Sequence, residues 1–197
     1  MRQRIRPPMQ PAELERLYNS FVVGTLEEKA GYVKTYPDTR TFYNAALALG
    51  RGFPEVKSIA DMSCGSSYIP FVLGQEYGVE PLLGDLIPGY QYQGTLQETV
   101  PQLPLVDLFI CTETIEHVED PDADLRLIRV HARNLLLTTP LDEPPDYSEG
   151  HLWRWDREGV EEILAGADFK IQAYIELDMT MGWSPHCRFG VWACSEQ

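Results

Sequence analysis

Two hydrophobic periods succeed one another along the 197-residue chain. Over residues 11–50 the apolar positions recur at helical spacing. PAELERLYNSFV reads as one amphipathic helix and TRTFYNAALALG as another that ends at Gly50, with breaks expected near Gly31 and Pro37. From residue 51 the pattern changes to short apolar runs alternating with longer amphipathic stretches: VKSIADM, SSYIPFVLGQEYG, VEPLLGD, LVDLFICTE, PDADLRLIRVHA and RNLLLTTP. A last helix, DREGVEEILAGA, precedes two strand-like runs, FKIQAYIELDM and RFGVWACS. Strands that alternate with helices demand right-handed crossovers, so the pattern predicts an α/β, doubly wound fold with a mostly parallel sheet and helices on both faces. Residues 1–50 are then an N-terminal helical cap and residues 51–197 a single core domain.

Sheets of this kind bind ligands beyond the carboxyl ends of their strands. The stretch IADMSCGSSYIP, residues 59–70, runs from a strand through a turn into a helix, and Gly65 lets a ligand approach the backbone closely. It lacks both the Gly-x-Gly-x-x-Gly pattern of dinucleotide sites and the Gly-x-x-x-x-Gly-Lys pattern of phosphate loops, which disfavours a pyrophosphate ligand. Asp61 ends this first strand. Asp85 closes the second, where a carboxylate is well placed to accept both hydroxyls of a ribose.

The third strand end, DLFICTETIEHV, completes a pattern. The chain resembles the class I S-adenosylmethionine-dependent methyltransferases over about residues 40–195. DMSCGSS resembles their first motif, Asp-x-Gly-x-Gly-x-Gly, LLGD their acidic second-strand motif, DLFICTETIEHV their fourth-strand motif and LLLTTP their fifth strand. The resemblance implies a Rossmann-like, seven-stranded methyltransferase sheet with S-adenosylmethionine as cofactor. It also implies a cofactor site in which Asp61, Ser63, Cys64 and Gly65 lie near the methionine end, Asp85 on the ribose and Leu96 near the adenine, with Cys111 and Thr112 under the sulfonium. Ser63 and Ser67 stand where the family has glycine, and each brings a Cβ into a crowded turn that resists positive φ. A cofactor-free relative that only binds a partner is the non-catalytic alternative.

A sulfonium is already an activated methyl donor, so the protein must align a nucleophile, exclude water and, where needed, remove a proton. On a helical turn ETIEH would put Glu113, Glu116 and His117 on one face, and with His151 from SEGHLWRWD they form a candidate set for a divalent ion. That spacing resembles metal-dependent 2′-O-methyltransferases acting on the 3′ ends of small RNAs, as well as ubiquinone-pathway O-methyltransferases. Glu-His-Val at this point also resembles metal-free members, and the expectation is a metal-free site with the glutamates held apart by solvent and His117 as the base.

Charge narrows the substrate. Only 16 Lys and Arg oppose 30 Asp and Glu, a net −14, which argues against a phosphate-backbone partner and for a small molecule, a sugar or other natural-product intermediate. Residues 142–162 alone carry Asp142, Glu143, Asp146, Glu149, Asp156, Glu158, Glu161 and Glu162, read mainly as solvated surface. Trp153 and Trp155 are expected chiefly in the core, and Tyr32, Tyr36 and Tyr43 in a lid over the cofactor cleft. Arg2, Arg4 and Arg6 are expected in a disordered tail. No run is long and apolar enough for a membrane span, no secretory signal opens the chain, and Cys64, Cys111, Cys187 and Cys194 read as free thiols, so the expected location is cytoplasmic.

Overall fold

The structure, a computed structural model, describes residues 1–7, 9–10, 12–13, 16–17, 25–144, 148–179 and 188–196. Most of the helix expected over residues 11–22 lies outside these, as do Asp146 and Cys187. The chain opens with β1 (Arg2–Arg4) and then presents helices α1 (Leu26–Thr35) and α2 (Pro37–Gly50). Thr25 and Glu28 exchange side-chain and backbone bonds to cap α1, and Gly31 sits inside that helix. The break falls at Tyr36 rather than at Gly31, because the residue before a proline is driven to extended backbone; Pro37 then starts α2, where its missing N–H costs nothing.

The core follows as β2 (Ile59–Asp61), α3 (Tyr68–Tyr77), β3 (Leu82–Asp85), β4 (Tyr92–Gln93), α4 (Leu96–Thr99), β5 (Val106–Thr112) and α5 (Pro121–His131). It continues as β6 (Ala132–Leu141), β7 (Trp153–Trp155), α6 (Arg157–Gly166), β8 (Phe169–Asp178) and β9 (Arg188–Glu196). Among the described residues a seven-stranded sheet runs β4-β3-β2-β5-β6-β9-β8. Neighbours from β4 to β6 pair in parallel, and β9 is antiparallel to both β6 and β8. Strand order reverses between β2 and β5, which opens the crevice where such folds take ligands.

Alternation along β5 explains the two-sided core. Phe109 and Cys111 enter one apolar cluster, with Leu125 and Ile128 of α5 and Val160 and Ile163 of α6. Leu108 and Ile110 enter the other, with Ala46 and Leu47 of α2 and Ile69 and Leu73 of α3. Side chains of successive strand residues point to opposite faces, so a run apolar at every position needs helices on both sides.

The N-terminal arginines are not a disordered tail. β1 pairs antiparallel with β7, Gln3 opposite Arg154, and the Ile5 N–H donates to the Leu152 carbonyl. Arg2 pairs with Asp122 and Arg4 with Glu119, while the two guanidinium groups lie 4.6 and 5.3 Å from the ring centre of Trp153. The acids that follow β5 and the aromatic β7 give these cations a binding surface that a single-element reading of RQRIR misses. Trp153 and Trp155 stack at 5.7 Å; Trp155 is fully buried, and the Trp153 indole N–H donates to the Val118 carbonyl. No described helix is long and apolar enough to cross a membrane.

Gly190 on β9 has the Trp192 indole over it, and a Cβ there would come within 2.0 Å of the ring. Trp192 is fully buried and cannot swing away. Gly190→Ala is therefore expected to destabilise the fold by about 1–3 kcal/mol, the usual cost of overpacking, read as a shifted urea midpoint with an unchanged slope.

Candidate active site

The turn after β2 is built around one carboxylate. Asp85, at the end of β3, accepts the Gly65 N–H through Oδ2 at 2.8 Å and the Ile87 N–H through Oδ1 at 3.0 Å. Gly65 adopts φ +51°, a backbone a side chain resists, and the Tyr90 hydroxyl donates to its carbonyl. Ser67, at the N-cap of α3, also takes positive φ, +54°, the strain expected of a serine standing for glycine. Ser63 does not. Its hydroxyl lies 2.8 Å from the Thr114 hydroxyl and ties the turn to the loop after β5. Asp61 is buried beneath and accepts the Ser63 N–H at 3.0 Å. Burial pushes the Asp61 carboxyl up to about 8, with the Asp85 charge adding to the effect and the Ser63 N–H opposing it.

A cleft of about 890 Å³ opens above this turn at the β2/β5 switch point. Its described lining carries four acids, Asp85, Glu113, Glu119 and Asp124, against one cation, Lys29 of α1. That balance favours a ligand bearing positive charge. Ser63, Cys64, Gly65, Leu96 and Thr112 all line it, together with Glu113 and His117. Asp61 and Cys111 lie below the surface, Cys111 fully buried. At the Leu96 end the Gln97 side chain donates to Asp124, and burial raises the Asp124 carboxyl to about 6. Tyr43 of α2 lines the cleft, whereas the rings of Tyr32 and Tyr36 lie 4.2 Å apart, tilted by 39°, at the surface.

Beneath the cleft floor lies a buried acid–imidazole cluster. Residues 113–118 form a turn rather than a helix, closed by the His117 N–H to the Thr114 carbonyl. Glu113 enters it at φ +53°, and its carboxylate accepts the Thr138 hydroxyl at 2.8 Å. Glu116 accepts the Thr139 hydroxyl at 3.0 Å through Oε2, while Oε1, also buried, has no hydrogen-bond partner among the described residues. The Glu116 carbonyl accepts the N–H groups of Leu152 and Trp153, which draws residues 148–155 across the floor. His151 thereby meets His117 edge to face at 4.6 Å. Its Nδ1 lies 2.8 and 2.7 Å from the two oxygens of Glu143.

Three of the four residues singled out as a metal set thus come together: ligand atoms of Glu116, His117 and His151 lie within 4.8 Å of one another. Solvent does not hold Glu116 away from the histidines. Glu113 turns to Thr138 instead, because the chain here is a left-handed turn and not the helix that would align it. Glu143, read from sequence as solvated surface, is 2 % exposed and belongs to the cluster. Burial raises the Glu113 and Glu116 carboxyls, and each feels a neighbouring carboxylate. Burial lowers His117 to about 3, the neighbouring His151 adding to the effect and the Gly150 carbonyl opposing it, so the ring is neutral and only weakly basic.

No family model matches the chain, and no curated protein matches it in sequence. Solved structures do. The N-methyltransferase NodS from Bradyrhizobium japonicum WM9, in complex with S-adenosyl-L-homocysteine, aligns with a TM-score of 0.65 at 14% identity, over 94% of this chain and 98% of its own. This is the class I methyltransferase fold. A geranyl diphosphate methyltransferase in complex with GPP and sinefungin shares that fold at a TM-score of 0.65 and 11% identity, over 81% of this chain and 79% of that one. So does the 4+2 cyclase SpnF, at 0.63 and 9%, over 78% and 80%. The methyltransferase fold therefore accounts for where the cleft sits, and its chemistry has to be argued from the residues around it.

Within this methyltransferase fold Asp61 gives a test of the cleft's electrostatics. Its carboxyl titrates near 8 when folded and near 3.8 as a free side chain, so from about pH 4 to pH 8 the folded chain holds a proton that the unfolded chain has lost. The stabilisation is complete below about pH 4 and is lost as pH rises towards 8, with a slope of up to about 1.4 kcal/mol per pH unit. Asp61→Asn keeps an acceptor for the Ser63 N–H and should flatten that slope in urea denaturations of the cofactor-free protein between pH 5 and 8.

Proposed function

We propose that this protein is an S-adenosylmethionine-dependent methyltransferase acting on an oxygen, nitrogen or carbon of a small molecule. The observation that carries the reading is the acidic cleft at the β2/β5 switch point, where Asp85 and the Gly65 turn are already bonded to each other. Two solved structures that share the fold are methyltransferases bound to S-adenosylhomocysteine or sinefungin, which supports the same cofactor here. Asp85 is assigned to the ribose hydroxyls, for which its oxygens keep further lone pairs; the backbone of Ser63, Cys64 and Gly65 to the methionine end; and Leu96, beside Gln97 and Asp124, to the adenine. Cys111 acts through its backbone, since its side chain is buried in the core, and Thr112 lines the sulfonium end. When bound, the cofactor supplies an activated methyl group, and these residues orient it and keep water away.

His117 lines the cleft and stands at the acceptor side. Its task there is to position the acceptor, because a ring held near 3 is a poor proton acceptor at neutral pH. The acidic rim supports a small-molecule acceptor over RNA, whose phosphates it would repel. Residues 1–50 are proposed as the cap that closes over this cleft: α1 contributes Lys29 and α2 contributes Phe42 and Tyr43 to its wall. The free thiols of Cys64, Cys111 and Cys194 support a cytoplasmic location.

Two measurements test the reading. Asp85→Ala should weaken S-adenosylmethionine binding by about 1.5–3 kcal/mol in calorimetry, the range for hydrogen bonds to a charged group. Unchanged affinity would remove Asp85 from the site, and a wild-type chain that binds no cofactor would make the protein a binding module. His117→Ala should leave cofactor affinity within a few-fold and lower turnover by about a hundredfold or more on an acceptor found by unbiased metabolite methylation profiling. A loss confined to cofactor binding would place His117 with the cofactor instead.

A further inference from the structure

We propose that Ser63 is a positioning residue that makes the two ends of the cleft bind cooperatively: its hydroxyl, through Thr114, passes cofactor binding at the turn after β2 to the loop after β5, residues 113–118. The inference rests on the methyl-transfer reading above. β2 and β5 are parallel neighbours, with Asp61 beside Ile110, so the two segments leave the sheet side by side. Among the described residues a single hydrogen bond joins them, the 2.8 Å contact between the Ser63 and Thr114 hydroxyls. Ser63, Thr114, Glu113 and His117 all line the cleft.

The direction of that bond follows from its neighbours. The Thr114 hydroxyl donates to the Thr112 carbonyl at 3.0 Å, which uses its one proton, so at the shared contact Ser63 donates and Thr114 accepts. The other acceptor near the Ser63 hydroxyl, Asp61 Oδ1, is farther away at 3.5 Å and already takes the Ser63 N–H at 3.0 Å. A chain of two hydroxyls therefore runs from the turn after β2 to the carbonyl of Thr112, the last residue of β5. Bonds in such a chain polarise and strengthen one another. Glycine or alanine at position 63 would leave the Thr114 hydroxyl without this donor.

The loop at the other end of the chain begins under strain. Glu113 enters it at φ +53°, a left-handed backbone that a residue with a Cβ keeps only when its surroundings hold it there. Two residues do so. Thr138 takes the Glu113 N–H on its carbonyl and its hydroxyl, each at 3.1 Å, and belongs to β6 in the middle of the sheet. Thr114 closes its hydroxyl back on Thr112 and takes the His117 N–H on its carbonyl at 2.9 Å, and it is tied to a turn that the cofactor contacts. Ser63 is only partly buried, so water competes for its hydroxyl. A cofactor laid on the turn displaces that water and leaves Thr114 as the partner, which strengthens the bond and steadies the loop. By reciprocity, an acceptor that orders the loop tightens the cofactor by the same factor.

The test is hydrogen–deuterium exchange of the full chain with S-adenosylhomocysteine as the probe, its affinity measured in parallel by calorimetry. At saturation the probe should slow exchange of the amides of residues 113–118 by about fivefold or more in wild type. Ser63→Ala, at a residue of ordinary φ, and Thr114→Val should each cut that slowing to less than about twofold while still binding the probe. Thr114→Ser, which keeps the hydroxyl, should preserve it. The Ser63→Ala/Thr114→Val double variant should match either single variant, because all three break the same bond. Exchange within α6 should equal that of wild type, which shows that the variants are folded. A bond with a merely structural role would shift exchange equally with and without the probe. A wild type that binds the probe without slowing residues 113–118, a Ser63→Ala chain that keeps the full slowing, or a Thr114→Ser chain that loses it would overturn the coupling. A wild type that does not bind the probe would instead sink the methyl-transfer reading, and the coupling with it.

Discussion

The Glu116 carbonyl is the point on which the buried cluster beneath the cleft turns. By accepting two consecutive N–H groups, from Leu152 and Trp153, it joins the loop after β5 to the segment after β6. Neither loop has regular structure of its own at this point, and a buried backbone carbonyl needs donors wherever it finds them. Once that junction forms, His151 has little choice but to lie against His117, Trp153 emerges as the start of β7, and β7 offers its free edge to β1. A pair of backbone hydrogen bonds thus helps to set both the cluster beneath the floor and the docking of the N-terminus.

The turn after β2 follows a different logic. There the parallel sheet brings the ends of β2 and β3 side by side, and a single carboxylate, Asp85, secures the turn that follows β2. Its bonds to Gly65 and Ile87 tie the backbone on both sides of the crevice to one side chain. Ser63 contributes what glycine could not: its hydroxyl reaches Thr114 and couples this turn to the loop that carries His117.

Period and punctuation made most of the core legible in the sequence. The long strands β5, β6, β8 and β9 and the helices α3, α5 and α6 carry enough residues for an apolar pattern to rise above chance. The short pieces do not. β4 has two residues and β7 three, and their pairing is decided by neighbours distant in the chain. Asp61, Gly65 and Asp85 stood out as candidates because they sit at or just past strand ends. Glu143 did not: on the sequence it is one acid among eight in an acidic stretch, and only the approach of His151 separates it from the others. Thr138 and Thr139 were hidden for the opposite reason, since threonine is ordinary in a strand and nothing local says that their hydroxyls serve two glutamates. Reading ETIEH as helical failed at Glu113, where a left-handed residue rotates the side chain away from the partners that helical spacing would give it.

The pairing of β1 with β7 also sets the order in which the molecule can be completed. Gln3 and Arg154, side by side in the fold, are 151 residues apart in the chain. On a ribosome the first strand has no partner until β7 has been made, and closing so long a loop is entropically costly and slow unless the intervening core has already brought its ends together. The arginines made first are therefore among the last to find their place, and the β1–β7 pair is finished only after the core that supports it.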